Sequence, residues 1–102
     1  MKVTTQSVNF NASSDLIDFI EKKVSSLIKF HDKILNAEVF LKLENSSDKE
    51  NKTAEIKINI PGNELVVKKQ YKSFEESVST GVETLKRRLK KSKEKLRDSI
   101  PI

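Results

Sequence analysis

Cysteine is absent from the 102 residues, which excludes a disulfide framework and the thiolate metal sites of zinc fingers and zinc knuckles. A single histidine, His31, cannot form a metal cluster by itself, so no metal is expected. Glycine and proline number two each, too few for a linker, a collagen-like repeat or a disordered bulk. No run approaches the ~20 apolar residues of a membrane span. The opening MKVTTQSVNF lacks the apolar core of a secretory signal, which makes the cytoplasm the expected location. There is no glycine-rich phosphate loop, and beside His31 stands only Asp32, so an enzyme is the least expected class and no cofactor is expected.

Hydrophobic residues make up 35% and charged residues 34%, a composition suited to a thin, two-layer fold in one domain spanning residues 1–102. Lys2 to Phe10 alternates loosely, Val3 and Thr5 against Thr4 and Gln6, as a short strand does. Ser13 is placed to cap a helix over 13–30, with Asp15 in its first turn. Successive residues about 100° apart put Leu16, Ile17, Ile20, Val24, Leu27 and Ile28 on one stripe, with Lys22, Ser26 and Lys29 opposite. His31 falls beside the buried side at the helix end, and Asp32 caps or turns the chain.

The period then changes to two. Asn36 to Glu44 points Ala37, Val39, Leu41 and Leu43 inward, and Thr53 to Ile60 does the same with Ala54, Ile56, Ile58 and Ile60. Between them Asn45 to Lys52 is polar and reads as an exposed hairpin loop. Pro61, Gly62 and Asn63 turn the chain into a fourth strand, Glu64 to Tyr71, with Leu65 and Val67 inward. Ser73 and Glu76 have the spacing of a capping box that opens a helix over 73–97 with the stripe Phe74, Val78, Val82, Leu85 and Leu89, and Leu96 as a late addition. Gly81, beside that stripe, costs about 1 kcal/mol against alanine; close packing on the sheet or the first helix would compensate. The order β-α-β-β-β-α defines an α+β two-layer sandwich, a four-stranded mixed sheet with both helices on one face.

Charge is the most uneven feature. Lys86 to Arg97, KRRLKKSKEKLR, holds eight bases and one acid, a charge of +7 in a chain of net +5, so the remaining ninety residues together carry −2. A dense basic block on one element is the footprint of a polyanion-binding face. At 1.5 Å per residue the last helix would reach about 37 Å, against about 26 Å for an eight-residue strand, so its charged end, 86–97, should project. The strands carry no paired aromatic pattern for stacking bases across the sheet. Recognition of phosphate and shape is the expectation, with Lys22, Lys23 and Lys29 extending the patch if the helices lie side by side.

The combination of element order, FIEKKVSSLIKFHDKI at Phe19 to Ile34, EIKINIPG at Glu55 to Gly62 and LKRRLKKSKEKL at Leu85 to Leu96 resembles the short ribosome hibernation-promoting factors, or ribosome-associated translation inhibitors. The resemblance covers nearly the whole chain. It implies a fold like that of double-stranded RNA-binding domains. It also implies binding to the small ribosomal subunit and its ribosomal RNA, in the channel used by messenger and transfer RNA. Such a protein would inhibit translation and promote hibernation under stress or in stationary phase.

By the same resemblance Lys22, Lys23, Arg87, Lys90, Lys91, Lys93 and Lys95 are the expected RNA contacts, and the charge pattern adds Lys29, Lys86 and Arg88 to them. No C-terminal dimerisation domain, a monomer off the ribosome and no membrane partner are expected with it. Where the family often begins the last helix with Asp-Met-Tyr, this chain has Ser73, Phe74 and Glu75, which keeps the cap and the apolar anchor and loses the tyrosine. The competing readings are a general double-stranded RNA-binding or RNA-chaperone module and a domain that meets an acidic protein.

Overall fold

Each strand has one apolar face, and four of them bury it together under the two helices. In the computed structural model, which describes residues 2–8, 10–44 and 51–98 and the side chains of the last helix as far as Lys91, the elements are β1 (Lys2–Val8), α1 (Ser14–Ser25), a 3-10 turn (Ser26–Lys29), β2 (Asn36–Leu43), β3 (Lys52–Ile60), β4 (Asn63–Tyr71) and α2 (Phe74–Asp98). The sheet order is β1-β2-β3-β4, with β1 parallel to β2 and the other neighbours antiparallel. The expected architecture is the observed one. The molecule measures 54 × 26 × 18 Å. Of the loop expected over Asn45 to Lys52, residues 45–50 lie outside the described residues, and Lys52 already belongs to β3.

Both helix starts are capped by the expected serine, the box at α2 through its Ser73 half. Ser13 Oγ accepts from Leu16 N at 3.2 Å, and Ser73 Oγ accepts from Glu76 N at 3.1 Å. The α2 stripe, Phe74, Val78, Val82, Leu85 and Leu89, is buried on Ile56, Ile58 and Val67 and their neighbours. α1 supplies Ile20 and Val24, and β2 supplies Ala37, Val39 and Leu41. Large aliphatic side chains contribute about 1.5–3 kcal/mol each when fully buried, so this shared layer holds the sandwich together. Ser77, also buried in the α2 stripe, donates from Oγ to Lys52 O at 2.7 Å and ties the helix start to β3.

Three local expectations need correction. The helix expected over 13–30 is an α-helix only to Ser25, and its continuation is a tighter 3-10 turn. The adjacent Ser25 and Ser26 favour this, because a serine hydroxyl competes for helix carbonyls, and Ser26 Oγ donates to Lys23 O at 2.6 Å. Three residues per turn then align Val24, Leu27 and Phe30, so Leu27 is buried while Ile28, expected in the stripe, is 36% exposed. β1 ends at Val8 rather than Phe10, because Phe10 leaves the sheet to stack on Phe74 with ring centroids 5.0 Å apart. Leu43, at the last rung of the β2–β3 ladder opposite Lys52, stays 43% exposed.

Gly81 lies where α2 packs closely on the sheet: a Cβ there would stand 3.0 Å from Ile56 Cδ1 and 3.5 Å from Val67 Cγ1. The compensation for its poor helix propensity is therefore contact with β3 and β4. Gly81→Val adds γ-methyls to that contact and should lower stability by about 1–3 kcal/mol, the usual cost of overpacking. The check is a fall in urea midpoint at unchanged m-value; a midpoint equal to wild type would mean that the helix has room to rise off the sheet.

Candidate nucleic-acid interface

The two helices run in the same direction. Phe10, just ahead of α1, stacks on Phe74 at the start of α2, and Phe30, just after the 3-10 turn, meets Lys86 and Lys90 farther down α2. Ser14 to Lys29 spans about 26 Å and Phe74 to Lys90 about 24 Å, so the pair is in step to that level. The C-terminal ends of both helices consequently lie at one end of the molecule. α2 continues from there to Asp98, and Leu89 is its most C-terminal buried side chain among the described residues.

That shared end gathers the bases. Lys22 and Lys23 occupy the last turn of α1, Lys29 closes the 3-10 turn, and all three are exposed. On α2, Arg87, Arg88, Lys90 and Lys91 are exposed and Lys86 is half-buried. Lys93 and Lys95, also expected contacts, lie beyond the described side chains, as does Leu96. Among the described residues none of these eight bases is paired with a carboxylate; the ion pair found, Lys57 with Glu64 at 3.8 Å, belongs to the sheet. The first turns carry acids instead, Asp15 in α1 and Glu75 and Glu76 in α2.

The α2 bases divide between two flanks. Toward α1, Lys86 Nζ and Lys90 Nζ stand 4.7 and 5.0 Å from the centre of the Phe30 ring. Four residues apart, they lie one above the other on the same side of the helix and share one aromatic partner. Lys23 Nζ stands 5.9 Å from the Phe19 ring on α1. Toward the free edge of the sheet, Arg88 Nη1 donates to Val66 O of β4 at 2.9 Å. That bond satisfies a carbonyl of an edge strand and fixes one guanidinium on the sheet. Beside it a shallow groove of about 270 Å³ is lined by Thr84, Arg87, Arg88 and Lys91.

The open face of the sheet differs in kind. Register places Thr4, Glu38, Lys57 and Val66 in one row and Gln6, Phe40, Glu55 and Lys68 in the next, with charges of both signs. A recess of about 110 Å³ lies there, lined by Thr4, Gln6, Glu38 and Phe40. Its carboxylate and the nearby Glu55 make it a poor seat for phosphate. Among the described residues no group of three or more His, Asp or Glu is placed to hold a metal ion. His31 is buried at 3% exposure beside the core, and its Nδ1 accepts from Lys33 N at 3.2 Å, which holds the turn after the helix. Phe30 and the Arg88 edge contact escaped the sequence reading; the aromatic residue directly before His31 was visible, but its direction depends on the 3-10 turn.

A model of the family described as Sigma 54 modulation protein / S30EA ribosomal protein matches residues 3–97. The ribosome hibernation promoting factor of Pseudomonas putida is 28% identical over 95 residues, which cover 93% of this chain and 89% of that protein. Among solved structures, a ribosomal subunit interface protein from Coxiella burnetii superposes with a TM-score of 0.81 at 19% identity, covering 92% of this chain and 99% of that one. The N-terminal domain of Protein Y from Thermus thermophilus gives a TM-score of 0.71 at 24% identity over 88% of this chain and 93% of that one. These structures share the fold.

The contact between Phe30 and the lysines of α2 should be measurable. In a double-mutant cycle of Phe30→Leu and Lys86→Gln, the coupling expected in urea unfolding at low salt is about 0.5–1 kcal/mol, shrinking as salt is added. A coupling of zero would mean that the ring attracts no ammonium in solution.

Proposed function

Because the chain belongs to the Sigma 54 modulation protein / S30EA ribosomal protein family, we propose that it binds the small ribosomal subunit through the basic ends of its two helices and occupies the channel used by messenger and transfer RNA. The observation that carries this reading is the convergence at one end of the molecule of eight bases from α1, its 3-10 turn and α2, none paired with a carboxylate among the described residues, while the open sheet face mixes both signs. Lys22, Lys23, Lys29, Lys86, Arg87, Arg88, Lys90 and Lys91 are assigned to phosphates of ribosomal RNA. Similarity to a ribosome hibernation promoting factor supports hibernation, in stress or stationary phase in the cytoplasm, as the setting.

Inhibition under this reading is occlusion. α2 extends about 12 Å past the level of Lys90 and acts as a rigid projection into the channel, with the sandwich as its base. Lys and Arg on phosphate give sequence-independent affinity, which suits a binding surface that is ribosomal RNA rather than a sequence to be read. No bond is made or broken.

Co-sedimentation tests the proposal. The protein should pellet with small subunits and displace messenger and transfer RNA from them, while equal affinity for any RNA duplex would favour a general double-stranded RNA-binding module instead. Retention should fall with salt at close to one logarithmic unit per neutralised phosphate, and Arg87→Glu with Lys91→Glu should weaken it at least tenfold and flatten the slope by about two. A second variant, Lys22→Glu with Lys29→Glu, locates the boundary of the site: weakened retention is expected, and unchanged retention would confine the contact to α2.

A further inference from the structure

We propose that Phe30, between Lys86 and Lys90, is a stacking subsite for an unpaired base of the bound RNA. The inference rests on the nucleic-acid reading above and adds to it a preference for single-stranded nucleotides over duplex at this position. Six aromatic residues occur in the chain, and their surroundings sort them. Phe10 and Phe74 stack on each other and Phe74 is buried. Phe40 lies on the open sheet face opposite Glu55 and beside Glu38, where an anionic strand is repelled. Phe19 has a single cation, Lys23, at 5.9 Å, and Tyr71 is paired with Lys52 at the far end of the β3–β4 ladder.

Phe30 alone combines partial exposure with two ammonium groups within 5.0 Å of the ring centre, and it lies at the basic end. A nucleotide needs this pairing of features: a π-face for the base and cations beside it for the phosphates. The lysine contacts to the ring are weak where water reaches them, and lysine stems are flexible, so the ammoniums can move to phosphates as a base takes the ring. The ring itself is held. Phe30 N donates to Leu27 O at 3.0 Å, and the 3-10 geometry keeps the ring in line with buried Leu27 and turned toward α2.

The test uses two decamers of equal charge, single-stranded decaadenylate and its abasic ribose-phosphate counterpart, each end-labelled and titrated by fluorescence anisotropy. Wild type should prefer the decaadenylate about tenfold, as stacking of one base implies. Phe30→Leu, checked for wild-type circular dichroism, should lose that preference while keeping the same salt slope, because no charge has been removed. Phe30→Trp introduces a lone tryptophan into a chain that has none, and its emission should be quenched by decaadenylate and not by the abasic decamer.

A tenfold preference retained by Phe30→Leu, or unquenched tryptophan, would overturn the subsite. Equal weakening of both decamers by Phe30→Leu would also overturn it, since the ring would then act only by placing the lysines. If wild type pellets with small subunits yet shows no preference for decaadenylate, the subsite fails and the ribosomal reading stands. If it binds neither decamer nor subunits, both fall.

Discussion

Only one face of the sheet is apolar, so both helices must lie on it, and the β-α-β-β-β-α order makes them run in parallel. Parallel helices point their C-terminal ends, each equivalent to roughly half a negative charge, toward one end of the molecule, with α2 reaching about 12 Å beyond α1 and its 3-10 turn. That arrangement favours cations toward one end of the pair and anions toward the other. The chain supplies both: Lys22, Lys23 and Lys29 with Lys86 to Lys91 at the C-terminal level, and Asp15, Glu75 and Glu76 at the N-terminal level. Charge segregation along the helices therefore begins as a condition of the fold. The bases on α2 exceed what one helix end can neutralise, and that excess, unpaired among the described residues, is what a polyanion would meet.

Element types and order were legible because strand and helix periods are clean in this sequence, and so was Gly81, whose cost pointed to close packing. The buried faces Ala37–Val39–Leu41 and Ala54–Ile56–Ile58–Ile60, the α2 stripe and both serine caps follow from spacing alone. What escaped lies where one local geometry replaces another. A stripe drawn at 100° per residue places Ile28 inside and Phe30 aside, and the change to a 3-10 turn leaves Ile28 exposed and turns Phe30 toward α2. Ser77 reads as a polar interruption of the α2 stripe until β3 brings Lys52 O within 2.7 Å. Arg88 reads as one base among many until β4 offers it a free carbonyl. The last two depend on a partner distant in the chain, which periodicity does not contain.

The distribution of bases also fixes the kind of recognition available. Bases one helical turn apart are separated by about 5 Å, inside the Debye length of about 8 Å at physiological salt, so they act as one field. Like charges at i, i+4 such as Arg87 with Lys91 cost a few tenths of a kcal/mol, and the stripe from Val78 to Leu89 is large enough to hold the helix against that repulsion. The field is thus mounted on a backbone that the core keeps straight. The sheet, with its alternating signs, contributes shape and anchorage.

Rigidity at the backbone and freedom at the tips together decide how such a surface binds. Ordering a loop on association costs entropy for every residue fixed, whereas here the backbone is ordered in advance by Leu85, Leu89 and the parallel partner helix. What remains to be ordered is the outer stem of each lysine, about 0.5–1.5 kcal/mol per side chain. Arg88 spends less, since its guanidinium is already placed on Val66 O, while Lys86 and Lys90 gather at Phe30 on stems that stay flexible. The surface therefore has one fixed point, on the sheet-edge flank of α2, and adaptable cations around it. An RNA groove of irregular phosphate spacing can be matched by such tips without any movement of the sandwich, whereas a flexible basic tail would have to order its whole backbone to reach the same contacts.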